Sequence, residues 1–239
     1  ILAGRTEAKL AAVVDGINAA GHEAHAQVVD IRVRESVDAA FASIAERFGV
    51  IDVLVNSAGG QFPQASIDFS EKGWLAVVNT NLNGTWHMMH VAAQHWREAG
   101  KGGAVVNIVV VNQGLHGVAH TSAARAGVIA FSNKAAVEWA PYGIRVNCIA
   151  PGAVETEGWA VYSETTRARY PRTNPMMRAG SPWEIAEAAI FLGGPGGRFI
   201  NGVTLEVDGG GQHWGEVWTT GKPEYFAAAT RLWDDASEG

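Results

Sequence analysis

Ile51-Asp52-Val53-Leu54-Val55-Asn56-Ser57-Ala58-Gly59-Gly60 is the stretch whose reading decides the fold. Ile51 to Val55 is a short apolar run rich in β-branched residues, the signature of a buried strand. The turn after it ends in glycine, which lets backbone approach a neighbouring group with no side chain between. Outward from this unit the pattern recurs. Val28-Val29, Ala104 to Val111, Ile144 to Ile149 and Val203 to Val207 also read as buried strands. Between them lie helical patterns: Val37, Phe41, Ile44 and Phe48 fall on one helix face, as do Leu10, Val13 and Ile17. Ser181-Pro182-Trp183-Glu184 predicts a helix start, with a capping serine, proline at the first helical position and a glutamate placed to close a capping box. Strand and helix in alternation imply a mostly parallel sheet covered on both faces, an α/β fold in a single domain over 1–239. The stretch 151–180 interrupts the rhythm, and long loops at strand ends tend to be lids or substrate walls.

Composition removes several function classes. The chain has 239 residues, 47% hydrophobic and 18% charged, with a net charge of −6. Nucleic-acid and anionic-membrane surfaces need a basic excess, so neither partner is expected. No apolar run approaches the roughly 20 residues of a membrane span. Cys148 is the one cysteine, which excludes an internal disulfide framework and leads us to expect a reducing, cytoplasmic setting. The last residues, Ala236-Ser237-Glu238-Gly239, carry no peroxisomal or reticulum-retention tripeptide. The segment 211–239, with Trp214, Trp218, Tyr225, Phe226 and Trp233, is more aromatic than a disordered tail. It is expected to dock on its own subunit or a neighbour.

Four patterns then converge: Asn56-Ser57-Ala58-Gly59, Asn81-Leu82-Asn83-Gly84-Thr85 inside a long helix, Arg145 to Gly152 closing a strand, and Gly202 to Gly210 closing the sheet. In this order and spacing they resemble the short-chain dehydrogenase/reductase family over the chain up to Gly210. The resemblance implies a Rossmann-like doubly wound parallel sheet holding a nicotinamide dinucleotide along its strand ends, where an open parallel sheet leaves a crevice. On that pattern Asn56, Ala58, Gly59, Pro151 and Gly152 border the cofactor. Asp30 and Ile31 match the adenine contacts, and Thr156 the threonine facing the nicotinamide amide. Arg5, at the end of the second strand of the pattern, favours the 2′-phosphate of NADP(H) through charge-assisted bonds, its other reading being a solvated surface arginine. The family opens with a strand and a glycine-rich turn that holds the pyrophosphate. Here Ile1-Leu2-Ala3-Gly4-Arg5 reads as the end of the second strand, so that first strand and turn are absent from the chain as given. A truncated sequence is the expected explanation, and weak cofactor binding the expected result.

The usual catalytic set of the family is a serine, then Tyr-x-x-x-Lys, with an asparagine one helix earlier. Asn81 is in place, but Thr121 stands at the tyrosine position, Arg125 at the lysine position, and no hydroxyl occurs from Val109 to Val111. A threonine hydroxyl cannot act as the base a tuned phenol can be, though it can donate a hydrogen bond. Thr121 and Arg125 are i, i+4 neighbours and can face one ligand; the guanidinium keeps its charge but gives up no proton. Thr121, Arg125 and Asn81 are therefore the candidate catalytic residues, stabilising negative charge that develops on an oxygen. That suits conjugate reduction of an acyl-CoA thioester, and the local sequence is similar to the trans-2-enoyl-CoA and 2,4-dienoyl-CoA reductase branches. The proton donor stays open among Tyr162, His116 and His120. Thr121 could instead cap a helix. Two other functions remain: an alcohol or aldehyde dehydrogenase, for example on citronellol-type terpenoids, and a non-catalytic cofactor-binding subunit. A metal site is not expected, since His87, His90 and His95 lack a placed third ligand. Their helix carries Trp86 and Trp96 and suits a subunit interface, so a homo-oligomer, dimer or tetramer, is expected.

Overall fold

In the computed structural model, which describes residues 1–110, 116–214 and 219, every strand pairing is parallel. Strand β1 (Leu2–Gly4) pairs with β2 (Ala26–Val28), and β3 (Val53–Asn56), β4 (Gly103–Ile108), β5 (Ile144–Pro151) and β6 (Thr204–Val207) form a four-stranded sheet in that order. Parallel neighbours cannot be joined by a hairpin, so helices make the crossovers. These are α1 (Glu7–Ala19), α2 (Arg34–Phe48), α3 (Glu71–Val78), α4 (Thr85–Glu98), α5 (Ala119–Glu138), α6 (Glu164–Arg169) and α7 (Pro182–Gly193). The expected α/β class holds. Among the described residues the two sheets share no ladder, and β3 has no strand on its outer side; Val53 and Val55 there are 40% and 47% exposed.

Helices cover both faces of the larger sheet. On one, Val37 and Phe41 of α2, Met89 and Trp96 of α4 and Ala135 of α5 pack on Val105 and Val146. On the other, Leu192 of α7 packs on Val106 and Ile149. Trp96 was expected near a subunit interface; it is instead fully buried in the chain's own core, its Nε1 donating to the Ile51 carbonyl at 2.7 Å. Gly103 must stay glycine beneath it, because any Cβ there would overlap the indole. Trp96→Ala is expected to cost about 3–5 kcal/mol in chemical denaturation, as large-to-small core changes do. Trp86, by contrast, is 38% exposed and stacks on His90.

Other expectations shift at the edges. Val37, Phe41 and Ile44 are buried as the spacing predicts, but Phe48 is exposed and packs at a tilt against His25 with Arg47 over its ring. Val13 is 49% exposed, since α1 covers only the two-stranded sheet and buries no residue fully. Strand β4 ends at Ile108; Val111, Trp218, Tyr225, Phe226 and Trp233 lie outside the described residues. Helix α7 starts with the predicted capping box: Ser181 Oγ accepts the Glu184 N–H and Glu184 Oε2 accepts the Ser181 N–H. Asn81, expected inside a long helix, sits in a π-helical turn (Asn79–Gly84) between α3 and α4, a local widening frequent at functional sites. The stretch 151–180 carries structure of its own: a 3-10 turn (Glu157–Val161), α6, and a second turn (Tyr170–Arg172), tied down by a bridge between Val154 and Gly180. No helix among the described residues is long and apolar enough to cross a membrane.

Candidate active site

The carboxyl ends of β3, β4, β5 and β6 open into a cavity of about 830 Å³. Ser57, Gly59 and Gly60 line it after β3, Val109 and Val110 after β4, and Pro151 and Gly152 after β5. Trp159, Tyr162 and Tyr170, from the excursion that follows β5, form its outer wall. A strand-end crevice closed by a long loop is where ligands bind in open parallel sheets.

Asn81, Thr121 and Arg125 come together at its floor, all buried. Asn81 is oriented by backbone: its Oδ1 accepts the Gly60 N–H at 2.9 Å and its Nδ2 donates to the Gly60 carbonyl at 3.0 Å. The same Nδ2 donates to Thr121 Oγ1 at 2.8 Å. A hydroxyl that accepts from an amide has its own proton left to give, and Thr121 borders the cavity. A capping role for Thr121 is not seen. Helix α5 begins at Ala119 behind Val118, so Thr121 lies inside the first turn with its N–H bonded to the Val118 carbonyl.

Arg125, one turn on, is 7% exposed and donates to the carbonyls of Ala58 (3.0 Å) and Asn81 (3.5 Å). Burial lowers its pKa to about 10, so it remains cationic near neutral pH. Among the described residues no carboxylate forms an ion pair with it. Gly59 must be glycine for this docking, because a Cβ would overlap the guanidinium, whereas a Cβ on Gly60 would meet nothing within 4 Å. A buried cation without a counter-ion is costly, and a ligand with anionic or hydroxyl groups in the cavity offsets that cost. The buried guanidinium and the bare glycine backbone therefore fit a ligand with hydroxyl and anionic groups, as a nicotinamide dinucleotide has.

The remaining expected residues divide. Pro151, Gly152 and Thr156 line the cavity, Gly152 lying so close to Asp208 that its Cβ would sit 2.8 Å from the Asp208 Cα. Asn56 does not face it: its Nδ2 donates to Asn107 Oδ1 at 2.8 Å, and Asn107 reaches Ser132, so this amide ties β3 to β4 and α5. Arg5, Asp30 and Ile31 stand at the ends of β1 and β2, outside the cavity. Asp30 is held at a pKa of about 2 by its bond to Arg32, with Arg5 adding attraction; the Ile31 carbonyl is bonded to His87 Nδ1. His90 Nδ1 lies 3.1 Å from Arg34, and no group of three or more potential metal ligands occurs among the described residues.

Of the proton-donor candidates, His116 is exposed and does not line the cavity. His120 is fully buried against Phe62 and Phe69; its Nδ1 accepts the Thr121 N–H and its Nε2 has no hydrogen-bond partner among the described residues. Tyr162 lines the cavity and its hydroxyl accepts from Gln61 Nε2. Sequence reasoning gave Gln61 and Tyr170 no role. The available signals were that Gln61 follows the Gly59-Gly60 pair and that two of the chain's 4 tyrosines fall in the excursion.

Known proteins share this sequence pattern and fold. The profile of the family described as Enoyl-(Acyl carrier protein) reductase matches residues 1–212. A Bacillus subtilis (strain 168) protein named "Probable 2,4-dienoyl-CoA reductase" is 36% identical over 189 residues, 76% of this chain and 74% of its own length. The 3-oxoacyl-acyl-carrier-protein reductase FabG of Chlamydia pneumoniae is 32% identical over 209 residues, 87% of this chain and 84% of its own. The crystal structure of a gluconate 5-dehydrogenase from Burkholderia cenocepacia J2315, in complex with NADP and tartrate, superposes with a TM-score of 0.83 at 32% identity, covering 90% of this chain and 85% of that one.

Proposed function

This chain belongs to the short-chain dehydrogenase/reductase family, and we propose that it is an NADP(H)-dependent reductase of the conjugated double bond in a 2-enoyl or 2,4-dienoyl thioester. The nucleotide, when bound, supplies a hydride. The protein's share is to hold the thioester so that its oxygen meets donors while the chain's far end runs under the excursion. The observation that carries the reading is the Asn81–Thr121 hydrogen bond, which makes the threonine hydroxyl a donor toward the cavity. Hydride addition to the β-carbon of a 2-enoyl thioester, or to the δ-carbon of a 2,4-dienoyl one, moves charge onto the thioester oxygen as an enolate. A preoriented hydroxyl backed by a buried guanidinium stabilises that charge without proton transfer at the oxygen. Thr121 and Arg125 together meet this demand, and neither can serve as the base that alcohol oxidation needs.

Carbonyl reduction is the second reading, favoured by Tyr162, a phenol on the wall of the same cavity. The two enzymatic readings separate in one assay: NADPH consumption with crotonyl-CoA and trans-2-decenoyl-CoA, against acetoacetyl-CoA and citronellal. Turnover of the enoyl thioesters is expected. Turnover confined to the ketone or aldehyde would replace the first reading by the second.

We also propose self-association, with Trp86 and the exposed face of α7 (Trp183 and Ile190, 77% and 73% exposed) as apolar surface available for it.

A further inference from the structure

The Asn81–Thr121–Arg125 floor stabilises an oxygen but has no group able to deliver a proton to carbon, so the reaction just proposed is incomplete. From the contacts around its hydroxyl, we infer that Tyr162 is the proton donor of this site, set in that role by Gln61 and Tyr170. The inference rests on the proposed reduction, and it adds a catalytic residue outside the threonine–arginine pair.

The geometry is one of hydrogen-bond direction. A phenol has one proton to give and lone pairs to receive. Gln61 Nε2 can only donate, and it donates to the Tyr162 oxygen. Tyr170 packs edge-on to Tyr162, ring centroids 5.4 Å apart, and so holds the ring against the cavity wall. Burial first, then the neighbouring Tyr162, push the Tyr170 phenol above its usual pKa, so Tyr170 stays neutral beside it. With the Gln61 amide donating to its oxygen, Tyr162 has its own proton left for another acceptor, and the space beside it is the cavity.

The placement relative to the floor is also fixed. Gly60 is clamped to Asn81 through both its N–H and its carbonyl, and Gln61 is the next residue. Asn81 in turn holds Thr121. Tyr162 is therefore linked to the Thr121 hydroxyl through the Gln61 side chain, the Gly60–Gln61 peptide and Asn81. His120 has no such access, being enclosed by Phe62 and Phe69, and His116 stands outside.

The step balances. After hydride addition at the β-carbon, the enolate electron pair forms a bond from the α-carbon to the Tyr162 proton, and the phenolic O–H breaks. The thioester carbonyl re-forms and the charge passes to the Tyr162 oxygen, where the Gln61 amide already points. Water returns the proton when product leaves. For a ketone substrate the same proton goes to the new alkoxide.

The test compares wild type, Tyr162→Phe, Gln61→Leu and the remote Tyr142→Phe for steady-state kinetics and NADPH binding by fluorescence. Enoyl thioester is also reduced in heavy water, and the face of α-carbon deuteration is read by NMR. Tyr162→Phe is expected to lower kcat about 10²-fold, the lower range for a positioned acid, with NADPH binding retained and face selectivity lost. Gln61→Leu should lower kcat several-fold, with KM and face selectivity kept, because it disturbs the donor's orientation only. Tyr142→Phe should match wild type. Wild-type rate and selectivity in Tyr162→Phe would overturn the inference. If wild type reduces only acetoacetyl-CoA, the enoyl reading fails, and the Tyr162→Phe loss measured on that substrate still decides the donor's identity. A wild type that binds NADPH and turns over neither substrate would overturn both.

Discussion

Thr121→Val, which replaces the hydroxyl by a methyl of similar size, is expected to lower kcat on an enoyl thioester about 10²–10³-fold, the loss typical of removing one oxyanion donor. The hydroxyl faces a thioester oxygen that is nearly neutral in the bound substrate and charged in the enolate, so its contribution appears in the transition state and little in KM. The same change strips one acceptor from Asn81 Nδ2, which keeps the Gly60 carbonyl, and a partly unsatisfied buried donor costs about 1–3 kcal/mol of stability. Thr121→Ser keeps the oxygen and should recover most of the rate. Steady-state kinetics with parallel thermal unfolding checks both halves. A Val variant with wild-type kcat would remove Thr121 from the chemistry.

Arg125→Ala is expected to weaken NADPH binding about 10–10²-fold and to lower kcat/KM about 10³-fold. A hydrogen bond to a charged group is worth about 1.5–3 kcal/mol, and each 1.4 kcal/mol is tenfold in affinity. Loss of this guanidinium also releases the Ala58 carbonyl, so the turn that leads from β3 to Gly60 and Asn81 loosens with it. Arg125→Lys tests the fork itself. A lysine keeps the charge on a single nitrogen and cannot reproduce the paired contacts to Ala58 and Asn81, so an intermediate defect is expected. Fluorescence titration with NADPH, run on all three proteins, measures the binding part separately from turnover.

The fold was readable where local rules act alone. Apolar runs located the strands to within a few residues, helical faces located α1 and α2, and Ser181 with Glu184 predicted a cap that forms, whereas α6 lies in a stretch read as a long loop. Misreadings came where tertiary contacts decide. Trp96 and Trp86 lie on one helix and look alike in sequence, yet the first faces β3 and β4 and the second faces out; only the position of the sheet separates them. Thr121 has the chemistry of a helix cap, but α5 starts two residues earlier and turns its hydroxyl to Asn81. Asn56 belongs to the pattern that points to a cofactor, while its amide is committed to Asn107 across the strand pair. The floor of the site was legible because Thr121 and Arg125 share a helix face. Gln61 is 101 residues from Tyr162 along the chain and meets it and Tyr170 through the folding of the excursion, which no local period encodes.

The central claim is that hydride is delivered to the β-carbon of a conjugated thioester, and the most direct measurement follows that hydrogen. Deuterium-labelled NADPH is supplied to the enzyme with trans-2-decenoyl-CoA, and the product is read by NMR and mass spectrometry. Deuterium on the β-carbon of a saturated thioester is the expected result. Unchanged enoyl thioester, together with deuterium on the carbinol carbon of a hydroxyacyl product formed from acetoacetyl-CoA, would contradict the account and make the protein a carbonyl reductase.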